Sequence, residues 1–252
     1  MKRLLRSAGV ASLLLPVLLA GPTPAHSQLP DEFTNLQVLP EDMPPRQLVG
    51  VMRGFSVGLG VRCWYCHVGE EGQPLSEYDF ASDDKPEKRK ARFMLEMSMQ
   101  LNDDILPGIA EFAERAEPGL RVQCVTCHRG VPLPRQIQDI VTQTAAADGV
   151  DAAIAEYRAL RERHYGTAAY DFGEQPLIDA AGELSDDPAA ALAVFDLALE
   201  HFPESIQALV GSAQVHQVQG DADAARAALL RAQEIQPNNP QIMRMLERLG
   251  NP

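Results

Sequence analysis

Cys63-Trp64-Tyr65-Cys66-His67 and Cys124-Val125-Thr126-Cys127-His128 are two copies of one five-residue pattern, and together they use all four cysteines of the chain. C-x-x-C-H is the attachment signature of c-type haem. Each thiol adds to one vinyl group of the porphyrin, and the adjoining histidine is then held beneath the iron as an axial ligand. Two other chemistries compete for such cysteines. Paired C-x-x-C units can furnish a Cys₄ or Cys₃His zinc shell, and a lone C-x-x-C can form a redox disulfide. Neither accounts for a histidine directly after both pairs. The expectation is two haem c groups and one-electron transfer. Cys63, Cys66, Cys124 and Cys127 are the expected attachment points, and His67 and His128 the expected axial ligands.

Upstream of the motifs, the N-terminus reads as a secretory leader. Lys2, Arg3 and Arg6 form a basic start, Ala8 to Ala20 a short leucine-rich apolar stretch, and Ala25 and Ser27 offer cleavage positions. An uncleaved anchor is the alternative. No cysteine near this stretch could carry a lipid. Export suits covalent haem attachment, which in bacteria takes place outside the cytoplasm, so a periplasmic or otherwise exported protein is expected. No run approaches the ~18 apolar residues of a membrane span. The formal net charge is −13, and losing the three basic leader residues takes it to −16. Such acidity argues against nucleic acid as a partner, since phosphate contacts need clustered Lys and Arg. It suits steering toward a positively charged redox partner, and equally suits plain solubility.

Downstream of the motifs, Pro132 and Pro134 end the haem-binding part, and from about residue 148 alanine, leucine and acidic residues dominate. This part repeats. Asp187, Ala190, Ala191, Ala198, Glu200 and Pro203 recur as Asp221, Ala224, Ala225, Ala232, Glu234 and Pro237, each pair 34 residues apart. That period resembles tetratricopeptide repeats, in which paired antiparallel helices stack into a solenoid. The pattern predicts helices over Ser205–Gln219, Asp221–Ile235 and Asn239–Leu249, with an earlier amphipathic helix over Asp151–His164. A plain helical bundle is the alternative. Tyr165 to Phe172, in which Gly166-Thr167-Ala168-Ala169-Tyr170-Asp171 lies between the two aromatics, resembles a segment that precedes degenerate repeats of this kind in exported bacterial proteins. The expected organisation is a leader over 1–27, a dihaem domain over 28–141 and a helical repeat domain over 142–252. The fold class is mainly α with few strands, and the repeat domain is expected to dock a redox partner on its concave face.

A c-type iron also takes a ligand opposite the motif histidine, methionine raising the potential and a second histidine lowering it. His26 falls in the leader, while His164, His201 and His216 fall in the repeats, where a surface position on a helix is the default. Met43, Met52, Met94, Met97 and Met99 all lie in the first part. Met52 sits in a helical pattern with apolar residues at 48, 51, 52 and 55, and Met94 and Met97 share a face at i and i+3. Core filling is the alternative for any of them. Lys85, Lys88, Arg89, Lys90 and Arg92 form the one strongly basic run, suited to haem propionates or to a solvated face. Arg62 and Arg129, beside the motifs, are the better individual propionate partners.

From Asn35-Leu36-Gln37-Val38-Leu39 through Met52, Leu59-Gly60-Val61, the first motif, Ala91-Arg92-Phe93-Met94-Leu95-Glu96-Met97, Leu101-Asn102 and Cys124 to Gly130, the first part resembles the cytochrome subunit of photosynthetic reaction centres. The similarity covers roughly 100 residues. In that family a methionine-bearing helix precedes each C-x-x-C-H and lies across the distal haem face. The resemblance therefore implies Met52 as ligand of the first iron and Met94 of the second, with Met97 as runner-up. The family carries four haems, one of which borrows a histidine from shortly before its Thr-Cys-His-Arg-Gly motif. No histidine lies between Asn102 and Cys124 here, which agrees with two haems, and a repeat region stands where the other haem pair would be. A role in a reaction centre is not expected. A peroxidase-type haem enzyme, or a haem-containing scaffold or sensor, is the alternative to an electron carrier.

Overall fold

A computed structural model describes residues 30, 32–109 and 120–250. The expected leader, with His26, lies outside the described residues. Eleven α-helices are found among those residues, and no strand; one isolated antiparallel bridge pairs Val68 with Asp79.

The haem-binding part is built on four helices. α1 spans Pro45–Leu59, α2 Cys63–Cys66, α3 Pro86–Gln100 and α4 Cys124–His128. Proline opens α1 and α3, where its missing N–H would be unpaired in any case. Gly60, left-handed at φ 67°, closes α1 by donating its N–H to the carbonyls of Ser56 and Val57. α3 continues through a π-turn over Leu101–Ile105 and a 3₁₀ turn over Leu106–Gly108. Between α2 and α3 the chain has little regular structure and is pinned by side chains. The Tyr78 ring covers Gly69, and its hydroxyl donates to the Glu70 carbonyl at 2.8 Å.

The rest is an array of antiparallel pairs. α5 (Ile137–Asp148) and α6 (Val150–His164) turn at Gly149, and α7 (Gln175–Glu183), α8 (Pro188–His201), α9 (Ile206–Gln219), α10 (Ala222–Ile235) and α11 (Pro240–Arg248) follow. The 34-residue period has a direct structural meaning. Asp187 and Asp221 are N-caps, accepting from the Ala190 and Ala224 amides at 3.1 and 3.0 Å. The repeated alanines Ala191, Ala198, Ala225 and Ala232 are fully buried where helices approach. Gly211 of α9 faces the Phe195 ring of α8, and a Cβ there would fall 2.4 Å from it. Residue 141, the expected end of the haem-binding domain, lies inside α5, and Ile137, Ile140 and Val141 are buried in one core with Tyr157, Leu177 and Val194. The histidines of the array are better covered than surface positions would be. His201 lies 5.6 Å from the Tyr157 ring, and the His216 Nδ1 is buried.

Candidate functional site

The first motif folds as a single helical turn in which the His67 amide donates to the Cys63 carbonyl at 3.0 Å. That turn places both cysteines and the histidine along one wall of a cavity of about 430 Å³. Met52 lines the same cavity from α1, beside Leu48, Phe55 and Leu59. The volume falls within the ~300–1,000 Å³ usual for cofactor pockets, and its walls are predominantly apolar as such pockets are. Phe80 meets His67 edge-on at 4.9 Å between ring centroids. Burial, and after it the nearby Lys88 ammonium, push the His67 imidazole down to about 4. The ring is therefore neutral at pH 7 with a lone pair available to a metal. Burial also raises the Cys66 thiol, with Glu87 adding to the effect. All four cysteines are free thiols.

The basic run on α3 has structural partners. Lys88, only 9% exposed, donates to the carbonyls of Phe80, Ala81 and Ser82 at 2.9, 2.9 and 2.7 Å. Its ammonium also lies 3.2 Å from the Asp83 carboxylate, to which Arg92 pairs at 2.8 Å. Lys85 donates to the Trp64 carbonyl, and Arg89 to that of Asp83. Asp83 further accepts from Asn35 at 3.0 Å and Gln37 at 3.2 Å, so the N-terminal segment is strapped over the cavity. The Arg92 and Asn35 contacts hold the Asp83 carboxyl well below its ordinary range. Four of the five basic residues thus hold a loop, while Arg53 and Arg62 stand at the cavity as exposed cations.

The second motif is arranged differently. The His128 Nδ1 lies 3.0 Å from the Val131 carbonyl. Assigned as the donor, Nδ1 leaves Nε2 free for a metal and fixes the ring plane. The Asn102 carboxamide both donates to the Val122 carbonyl at 2.8 Å and accepts from its amide at 2.7 Å, tying the end of α3 to the approach of α4. Met94 and Met97 are each 37% exposed on α3, and neither lines the first cavity. The structure therefore gathers Met52, Cys63, Cys66 and His67 around one space. Among the described residues, Met94, Met97, Cys124, Cys127 and His128 line none of the main cavities. No three of His, Cys, Asp and Glu converge as a metal shell among the described residues.

Sequence reasoning missed Phe80, Asp83 and the paired contacts of Asn102. Asn102 stood in a recognisable phrase, whereas nothing in the pattern around Phe80 or Asp83 signals their contacts.

An apolar cavity walled by two cysteines, a neutral histidine and a methionine fits covalent haem, and defines the class as c-type cytochrome. The chain belongs to the family of photosynthetic reaction centre cytochrome C subunits, which matches residues 26–172, more than half of its length. A tetratricopeptide repeat family matches residues 184–249. Over 99 residues the chain is 34% identical to cytochrome c-554 of Chloroflexus aurantiacus, covering 39% of this chain and 20% of that protein. Over 90 residues it is 31% identical to the photosynthetic reaction center cytochrome c subunit of Rubrivivax gelatinosus, covering 34% of this chain and 23% of that one. The chain thus spans about a fifth of the length of these curated relatives. Membership implies covalently bound haem c. No helix among the described residues is long and apolar enough to cross a membrane.

Proposed function

We propose that this protein is an exported, periplasmic dihaem cytochrome that relays single electrons and docks a redox partner through its helical array. It is an electron carrier rather than an enzyme. The single observation that carries the reading is the cavity that Met52 lines together with Cys63, Cys66 and His67. In this reading Cys63 and Cys66 would hold the first haem, and His67 and Met52 would ligate its iron. Cys124 and Cys127 hold the second, with His128 and Met94 as ligands and Met97 as the alternative donor. The bound iron supplies a ferric/ferrous couple, and methionine ligation sets it relatively high.

The chain's own residues do the rest. Phe80, Leu48, Phe55 and Leu59 keep water from the first site, and Lys88 holds the loop that carries Phe80. Val131 orients His128. Arg53 and Arg62 stand where propionates could pair with them. We place the boundary between the haem-binding unit and the helical array just after Pro134.

The test is an optical spectrum, intact mass and redox titration of protein matured with haem-attachment machinery. Two haem masses are expected, with Met52→His and Met94→His each lowering one midpoint potential and weakening the methionine–ferric band. A single haem mass overturns the dihaem reading. Two haems with both potentials unmoved overturn the ligand assignment.

A further inference from the structure

α3 is attached to the fold by its charges and turns its large apolar side chains outward. Among the described residues of α3, Lys88 alone is buried, and it and Arg92 are held by the Asp83 loop. On another side runs a stripe of mixed character. Arg89, Phe93, Met97, Gln100 and Asp104 follow at spacings of four, four, three and four residues, which keeps them on one side of the helix and of the π-turn that prolongs it. All five are exposed. Phe93, near the middle, is 68% exposed, so much of the stabilisation its burial could bring is forgone. Met94, the proposed ligand of the second iron, stands about a quarter turn round from Phe93.

The charges along the stripe are ordered. Arg89 and the flanking Lys90 make one end cationic, and Asp104 and the flanking Asp103 make the other anionic. Lys90, Asp103 and Asp104 form no ion pair among the described residues. Arg89 donates to the carbonyls of Asp83 and Asp84, which leaves its charge without a carboxylate opposite. A stripe of one sign, or one apolar throughout, would name no occupant. This one is complementary to its own reverse. A two-fold axis between Glu96 and Met97 lays a second copy antiparallel, and each cationic end then meets an anionic end while Phe93 and Met97 of both copies meet between them. Contacts of this self-matching kind are those of two-fold dimers.

We propose that a second copy of this chain docks antiparallel along α3, forming a two-fold dimer with Phe93 and Met97 at its centre. One helix against one helix is a small contact, of the class below ~1,200 Å² that marks transient association. Each chain also carries a net charge of −13. Pairing is therefore weak and reversible. It is best seen at an ionic strength of about 0.15 M, where repulsion between the two chains is screened beyond about 8 Å and contacts across the interface are screened less.

The test is sedimentation equilibrium of the full-length holoprotein over a rising concentration series. Wild type is expected to move from the monomer toward the dimer mass. Phe93→Asp should raise the dissociation constant about ten-fold, and so should reversal of either end, by Arg89→Glu/Lys90→Glu or by Asp103→Lys/Asp104→Lys. An equal mixture of the two reversal variants should form a heterodimer although neither variant pairs with itself. Because Arg89 also braces the Asp83 loop, Lys90→Glu mixed with Asp103→Lys repeats the experiment without touching it, with a smaller effect in the same direction. A wild type that stays monomeric, a dimer that survives reversal of either end, or mixtures that stay monomeric overturn the inference. A monomeric wild type whose Phe93→Asp variant binds a redox partner less tightly assigns the stripe to that partner, and overturns it equally.

Discussion

Asp83 shows how much a single carboxylate can organise. It joins α3 to the N-terminal segment through Arg92, Lys88, Asn35 and Gln37. Its folded-state pKa is depressed, so its contribution to stability is fully present above the unfolded value of ~3.9 and is lost as pH falls toward the folded value. Asp83→Asn should therefore lower the unfolding temperature at neutral pH, and the gap from wild type should narrow as pH drops below ~4. An equal gap at pH 7 and pH 3 would contradict this. Asn102 offers a second test. Asn102→Leu keeps the branched shape but leaves the Val122 amide and carbonyl without their side-chain partners, at about 1–3 kcal/mol. Covalent haem at Cys124 and Cys127 should fall with it, while the first site, read by mass after proteolysis, stays loaded. The convergence of Cys63, Cys66, His67 and Met52 on one cavity was legible, from the motif spacing and from the family resemblance that implies Met52. Lys88 was not. A lysine between charged neighbours reads as a surface residue, and only the carbonyls of Phe80, Ala81 and Ser82, brought round by an irregular loop, bury it.

Helices of the array follow their caps closely. Ser205, Asp221 and Asn239, read as first residues of helices, are the N-caps of α9, α10 and α11, so the ends were legible to within a residue or two. α5 was not anticipated, because the expected boundary at residue 141 cuts through a helix whose buried face of Ile137, Ile140 and Val141 continues unbroken. Asp187→Ala and Asp221→Ala should each lower stability by about 1 kcal/mol in denaturant titration. Because they cap different helices, the double variant should lose close to the sum. Gly211→Ala drives a methyl into the Phe195 ring and should destabilise by about 1–3 kcal/mol. Val218→Asp, on the exposed side of α9, should stay within about 0.5 kcal/mol of wild type. A neutral Gly211→Ala would mean that α8 and α9 can separate freely.

For the whole molecule, charge and connectivity matter most. With a net charge of −13, association with a cationic redox partner should be steered electrostatically, and its rate should fall steeply as salt rises from about 50 to 500 mM in stopped-flow measurements. A salt-independent rate would point to an apolar dock instead. The strap over the first cavity has a consequence of another kind. Its bonds join positions 46, 48 and 57 residues apart, from Asn35 and Gln37 to Ala81, Asp83 and Arg92. Contacts that distant in sequence close after the local turns of α1, α2 and α3 have formed, because the intervening loop must lose its entropy first. A maturing chain thus passes through a stage in which Cys63 and Cys66 are already positioned and still uncovered. A haem joining Cys63 and Cys66 in that interval would meet an open site, and the strap between Asn35 and Asp83 would close over it afterwards.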